Sequence, residues 1–229
     1  MGVSMVKSKK LIVAVLTADI IHSRQYSPAV RRRVDLTLRG SFKEVIRRYP
    51  EAVQTPLAFR ITAGDEFQCV FADVSTAFEI LTYLRASVAT SGIKPVITFR
   101  ASIGIGEISV SGKANSYEED GEAFVRSREG LNELNKRKQA WTKIITGQPE
   151  VNRCADVILI LIDRLQKNWT IPQWEAVKWS LLGLTRERIS KKVNVAHQNI
   201  TKRLAAAGWQ EFRHAATFLK ELLENSSKS

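Results

Sequence analysis

The sequence predicts an α+β protein in two parts, a ferredoxin-like βαββαβ domain over residues 1–147 and an all-α domain over residues 148–229. Two observations predict it. Up to about residue 145, short aliphatic or alternating runs and stretches of helical periodicity follow the order strand, helix, strand, strand, helix, strand. After Gln148-Pro149 only helical periodicity remains. A doubly wound sheet would instead place a helix between every pair of strands. The composition is that of a packed globular chain, with 229 residues, 44% hydrophobic and 25% charged, 12 glycines and 6 prolines.

Each element has a local reason. Leu11–Leu16 is a continuous aliphatic run with β-branched residues, as a central strand buried on both faces requires. Pro28 opens a helix reaching Tyr49. Val30, Val34, Leu38, Phe42, Val45 and Ile46 form its apolar stripe, with arginines opposite. Leu57–Thr62 and Phe67–Phe71 read as strands joined by the tight turn Ala63-Gly64-Asp65-Glu66. Asp73 N-caps a helix to about Ala89, striped by Ala77, Ile80, Leu81 and Leu84. Ile97–Ile108 reads as a strand whose Gly104 and Gly106 let a helix or a ligand come close. The loop Gly112–Asp120 then leads to a polar helix near Glu122–Asn135.

In the second part, Val151–Leu165 is strongly apolar. Thr170-Ile171-Pro172-Gln173 matches a capping box, with Trp174, Val177 and Leu181 as the stripe that follows and Gly183 as terminator. Residues 186–193, 197–207 and 210–224 read as three more helices, and Asn225–Ser229 as a disordered tail. Trp169, Trp174, Trp179 and Trp209 are expected in the core of this part.

Several classes are excluded. Two cysteines, Cys69 and Cys154, rule out a disulfide framework and a cysteine-based zinc site, and three scattered histidines rule out a histidine-rich one. The longest apolar runs fall far short of the roughly 18 residues of a membrane span, so no membrane partner is expected. Lys7, Lys9 and Lys10 ahead of an apolar stretch imitate a signal peptide. Asp19 interrupts that stretch and no small-residue cleavage site follows cleanly, so the reading is a strand in a cytoplasmic protein. Lys and Arg number 35 against 23 Asp and Glu, a net charge of +12, and both parts are positive, by 7 up to residue 145 and by 5 beyond it. Such an excess points to a polyanionic partner, DNA or a nucleotide.

Acidic residues sit where chemistry would use them. Asp19 ends the first strand, and Asp65 and Glu66 lie in the hairpin. In a βαββαβ sheet the first strand and the hairpin strand are central neighbours, so these carboxylates converge at one sheet edge. Converging carboxylates form a hard-oxygen site for Mg²⁺ or Mn²⁺, ions that clamp a triphosphate and activate a hydroxyl. For Asp65 alone, a surface Gly-Asp turn is the plain alternative. Asp19 and Asp65 are thus candidate catalytic residues and metal ligands, with Glu66 as a supporting ligand. Ser23, Arg24 and Gly64 are candidate nucleotide contacts, Arg24 as a bidentate fork. Glu107, at the end of the late strand, could add a carboxylate, and Lys136-Arg137-Lys138 could touch phosphates; a solvated surface charge and a solvated helix end are the better readings of the two.

The run Ala63-Gly64-Asp65-Glu66-Phe67 resembles the hairpin of palm-type nucleotidyl cyclases, the GGDEF diguanylate cyclases among them. That family shares the strand order and carries an acidic residue on its first strand. Asp120-Gly121-Glu122-Ala123-Phe124-Val125-Arg126-Ser127-Arg128 resembles the start of its palm-packed helix. The likeness implies a metal-dependent palm that binds, cyclises or transfers nucleoside triphosphates. Ala63 stands where the cyclases have their first glycine; a methyl group there hinders the approach of backbone to phosphate and argues against diguanylate synthesis. A closer resemblance is to the SatD family, carried by Asp19-Ile20-Ile21-His22-Ser23-Arg24, Gly64-Asp65-Glu66-Phe67-Gln68 and Ile103-Gly104-Ile105-Gly106-Glu107-Ile108. It covers most of residues 11–135 and implies no particular activity.

Thr185–Gly208 resembles a helix-turn-helix of winged-helix-like type. Ile189, Val193, Val195, Ile200 and Leu204 have its core spacing, Ser190 is the small residue where the helices touch, and Asn194 sits at the turn. Ala196 departs from the Ser or Thr usual at the second helix's cap. The second helix would be the reader, with His197, Gln198, Asn199, Thr201, Lys202 and Arg203 facing outward and Lys191 on the backbone. A small bundle for protein contact is the alternative. The leading expectation is a DNA-binding regulator with a metal- and nucleotide-binding palm. An active nucleotidyl transferase or cyclase, and an inactive palm that pairs two copies as a homodimer, stand as alternatives.

Overall fold

The computed structural model describes residues 9–53, 59–61, 65–110, 121–137 and 140–227. Among the described residues, five strands form one sheet: β1 (Lys9–Ile20), β2 (Arg60–Ile61), β3 (Glu66–Phe71), β4 (Phe99–Val110) and β5 (Thr142–Ile145). Their order is β2-β3-β1-β4-β5, and neighbours are antiparallel except β4 and β5, which are parallel. The described residues also form eight α-helices: α1 (Pro28–Arg48), α2 (Ala77–Ala89), α3 (Glu122–Arg137), α4 (Pro149–Lys167), α5 (Ile171–Leu181), α6 (Arg186–Lys192), α7 (His197–Ala206) and α8 (Trp209–Ser226). The protein is therefore a mixed α+β structure. Among the described residues, no helix is long and apolar enough to cross a membrane.

The aliphatic run of β1 is explained by burial on both faces. Val13 and Val15 pack with Val70, Ile108, Ala123 and Phe124 beneath α3. Ala14, Leu16 and Ala18 join the larger core with Val34, Leu38 and Phe42 of α1 and Ile80 and Leu81 of α2. At Gly104 a Cβ would collide with the Ala123 carbonyl oxygen and the Ser127 nitrogen. The late-strand glycine therefore serves helix packing, and α3 lies directly on β4.

Local signals set the helix starts. The Ser27 hydroxyl accepts from Val30 N–H at 3.3 Å, and Pro28 begins α1. Asp73 accepts from Ser75 N–H at 2.9 Å, but a 3-10 turn, Val74–Thr76, intervenes before α2. Gln173 accepts from Thr170 N–H at 2.7 Å at the start of α5. Every residue of α2 from Ala77 to Ala89 except Glu79 is buried, so the single expected stripe was too narrow. The outer side of α2 is covered by the second half of the chain. Phe78 meets Phe212 of α8 with ring centroids 6.1 Å apart.

One continuous buried cluster consequently runs from Ala14 through Leu81, Leu159, Trp174 and Ile189 to Leu223. Trp169 and Trp174 are buried in it edge to face, 4.5 Å apart, and the Trp169 indole N–H donates to the Ala207 carbonyl at 2.7 Å. Trp179 and Trp209 are half-buried against it. Two further corrections concern the chain's course. Thr142–Ile145 forms a fifth strand not expected from its four residues, and Asn225 and Ser226 belong to α8 rather than to a disordered tail. Gly64, Lys138, half of the expected strand at Leu57–Thr62 and the loop up to Asp120 lie outside the described residues.

Candidate functional site

The sheet register brings the acidic residues together. Asp19 stands opposite Glu66 on β3 and opposite Arg100 on β4. Beside it, Ile20 N–H donates to the Asp65 carbonyl at 3.1 Å. The Asp65 carboxylate accepts from the Ser23 hydroxyl, which is buried. Glu66 is held by Arg128 of α3 at 2.6 Å.

Charge in this cluster is incompletely balanced. The Asp19 carboxyl is pushed up to about 6, first by its partial burial and then by the negative charges of Asp65 and Glu66. Arg100 and Arg24 oppose the shift without cancelling it. Arg24 itself is exposed.

The segment after β1 is shaped by an unusual backbone. His22 has φ +61, in the left-handed region that non-glycine residues seldom adopt. This turn swings Ser23 inward to Asp65. The Tyr26 hydroxyl donates to the Ile21 carbonyl at 3.0 Å, and Arg31 Nε donates to the Tyr26 carbonyl at 3.1 Å, fixing the loop against α1. Next to Ser23 and Asp65 a pocket opens between α1 and β3, lined by Ile20, Tyr26, Arg31, Val34, Leu38 and Phe67. Its lining is mostly apolar, with Asp35, Asp65 and Arg31 among it, and its volume of about 20 Å³ holds about one water molecule.

Among the described residues, no three His, Cys, Asp or Glu side chains form a group that could hold a metal by themselves. Two carboxylates with a phosphate completing the shell is nevertheless a normal arrangement for Mg²⁺. Asp19 and Asp65 have the hard-oxygen chemistry for that share. Glu107 does not belong to the cluster. It pairs with Ile12, seven residues along β4 from the Arg100 that faces Asp19, roughly 24 Å away at strand rise.

Arg100 and Arg128 were not singled out from sequence. Both become legible only once β4 is paired with β1 and α3 is laid on the sheet. The short spacing from Glu122 through Arg126 to Arg128 was the available hint, and Arg126 in turn donates to the Ile105 carbonyl at 2.6 Å.

The second candidate surface is α6 and α7. They are joined by Val193–Ala196, with Asn194 at φ +52 and Val195 N–H donating to the Ser190 carbonyl at 3.0 Å. Ile189, Ile200 and Leu204 are buried. Lys191, His197, Gln198, Asn199 and Lys202 are exposed, as expected. Thr201 and Arg203 depart from the expectation, since both are half-buried. Arg203 donates to Glu175 of α5 at 3.3 Å, and His197 lies 3.1 Å from Glu187. Ala196 provides no side-chain cap to α7.

The fold and these two surfaces define a mixed α+β protein with an acidic group at one end of its sheet and a cationic helical face. The chain belongs to the SatD family, whose model matches residues 12–223. No curated protein matches it.

Proposed function

We propose that this protein is a DNA-binding regulator whose sheet half, a ferredoxin-like palm, binds a nucleotide through Mg²⁺ or Mn²⁺. The observation that carries the reading is the division of α7. Ile200 and Leu204 are buried, while Gln198, Asn199 and Lys202 point into solvent. The length of α6, the four-residue turn and the left-handed Asn194 support a helix-turn-helix. In this reading α7 enters the major groove. Gln198 and Asn199 pair with adenine edges, Lys202 reaches guanine or phosphate, and Lys191 holds the backbone. Arg203 and Thr201 brace α7 instead of reading DNA.

Changing Gln198 and Asn199 together to Ala should cost about 1–3 kcal/mol at the preferred site and little on random DNA. Fluorescence anisotropy on a selected duplex measures it. A folded double variant that binds that duplex as tightly as the parent removes the reader role and leaves a helical bundle for protein contact.

The palm reading is supported by the order β2-β3-β1-β4 with α1 and α2 on one face, and by Asp19 and Asp65 at the end of the central strands. Ser23 positions Asp65, and the nucleotide's phosphates complete the metal's shell. Turnover is the second reading, resting on the same two carboxylates, Asp19 and Asp65, brought side by side where Ile20 N–H meets the Asp65 carbonyl. Incubation with Mg²⁺ or Mn²⁺ and each nucleoside triphosphate separates the two, because only an active transferase or cyclase releases pyrophosphate.

A reader helix usually works in symmetric pairs. On α4 the exposed residues Glu150, Val157 and Arg164 form a heptad stripe flanked by exposed Ile160 and Leu161. In an antiparallel pair of α4 helices centred on Val157, Glu150 of each copy faces Arg164 of the other. Leu161→Asp should shift the protein to monomer in sedimentation, and an unchanged mass would remove this homodimer.

A further inference from the structure

A second cationic feature lies away from the acidic cluster. Between α1, α5 and α6 runs an open groove whose lining includes Gly40, Arg47, Tyr83, Lys178, Trp179 and Lys192. Both lysines are gathered on one indole. Lys178 Nζ is 5.1 Å and Lys192 Nζ 4.2 Å from the centre of the Trp179 ring. Such cation–π contacts hold flexible ammonium groups in place before any ligand arrives.

Glu44, which also lines the groove, and Glu175 act on the lysine charges, and each is shared with an arginine. Glu44 is bound by Arg47 and Glu175 by Arg203. Two like charges held together at a half-buried wall favour an anion between them. The outer surface of α1 extends the positive field, since this helix carries seven basic residues and two acidic ones.

Gly40 is the independent observation. Glycine in the middle of a helix destabilises it relative to alanine. Nothing lies within 4 Å of a Cβ built there, so internal packing does not demand glycine. Its absent side chain leaves the helix backbone open to a ligand lying in the groove.

We propose that this groove binds the phosphodiester backbone of a nucleic acid. The groove is shallow and open to solvent, which suits a chain crossing it better than a small enclosed anion. It also adjoins α7, because Glu175, one turn before Lys178 on α5, holds Arg203. The inference therefore deepens the DNA reading above. The phosphates belong either to the flank of the duplex held by α7 or to a separate single strand.

The test uses the full chain, with a labelled duplex and a labelled single strand, in anisotropy at several salt concentrations. Lys178→Gln with Lys192→Gln should bind about tenfold more weakly near 0.1 M salt. The slope of log affinity against log salt should fall by about 1.8, the share of two phosphates. Lys192→Gln alone, at an exposed position, should lower the slope by about 0.9. Gly40→Leu keeps every charge but fills the groove, and it should weaken binding as well. A larger loss on duplex assigns the phosphates to the α7-bound flank; a larger loss on single strand assigns them to a separate chain. The proposal is overturned if the parent binds neither nucleic acid. It is equally overturned if Lys192→Gln and Gly40→Leu proteins, folded by circular dichroism, keep the parent's affinity and salt slope. Loss in these variants with none in Gln198→Ala, Asn199→Ala would retain the groove and discard the reader helix.

Discussion

Replacing Asp163 with Asn is expected to lower stability by about 3–5 kcal/mol, because it strips the partner from a fully buried guanidinium. Arg85 is 1% exposed and Asp163 2%, with Nη1 and Oδ1 3.8 Å apart. The pair stands at the junction of α2, β4, β5 and α4. Arg85 donates to Thr142 Oγ1 at 2.7 Å, Gln166 Oε1 at 3.0 Å and the Trp141 carbonyl at 2.7 Å. Asp163 accepts from Trp141 N–H at 2.6 Å and Thr142 N–H at 2.9 Å. It thus anchors the start of β5 as well as balancing charge. Burial holds the Arg85 guanidinium down at about 10, and the nearby Asp163 charge offsets part of that. Since Arg85 stays charged at neutral pH, losing Asp163 leaves it uncompensated. The midpoint of thermal unfolding should fall by roughly 10 °C. Arg85→Met should cost a similar amount, and the double variant clearly less than the sum. Strict additivity in urea unfolding would show that the pair is not coupled. This network also explains why the second half of the chain cannot be treated as an appendage of the sheet: α4 supplies the counter-charge for α2.

The parts of the fold that were legible are those where one element's own residues decide its burial. β1 reads directly because both of its faces are covered, and α7 reads directly because Ile200 and Leu204 recur at helical spacing. β5 has four residues and only two described residues form β2, too few for a period to emerge. The stripe assigned to α2 was too narrow because α5 and α8, distant in sequence, cover its other side. The acidic cluster followed from topology, since the strand order makes β1 and β3 neighbours. Its modulation did not. Arg128 reaches Glu66 across 62 positions, and Arg203 reaches Glu175 across 28. Such pairings depend on how a helix is laid on its neighbours, which no local pattern encodes.

Asp19→Asn should move stability and function in opposite directions. The Asp19 carboxyl titrates at about 6 in the folded chain against 3.8 unfolded. The folded state therefore binds this proton more tightly, and the resulting stabilisation is complete below about pH 4 and lost as pH rises through 6. Above that range the chain carries Asp19 as a partly buried anion beside Asp65 and Glu66. Asn keeps the shape and removes the repulsion. At pH 8 the variant should be more stable than the parent by about 1 kcal/mol, after the discount that solvent access imposes. That is roughly 2–4 °C in the unfolding midpoint of a chain this size. At pH 4 the two proteins should unfold together. Metal-dependent nucleotide binding should go the other way, with affinity in the presence of Mn²⁺ falling at least about tenfold because one of two carboxylate ligands is gone. Residues that destabilise the fold while serving a site show this opposition, whereas a carboxylate that only supports the structure would lose stability when neutralised. Scanning calorimetry at the two pH values and Mn²⁺ titration with a nucleoside triphosphate read the two halves separately. A variant that is less stable at pH 8 and binds the nucleotide as before would leave Asp19 an ordinary strand-end residue and remove the metal site from the palm.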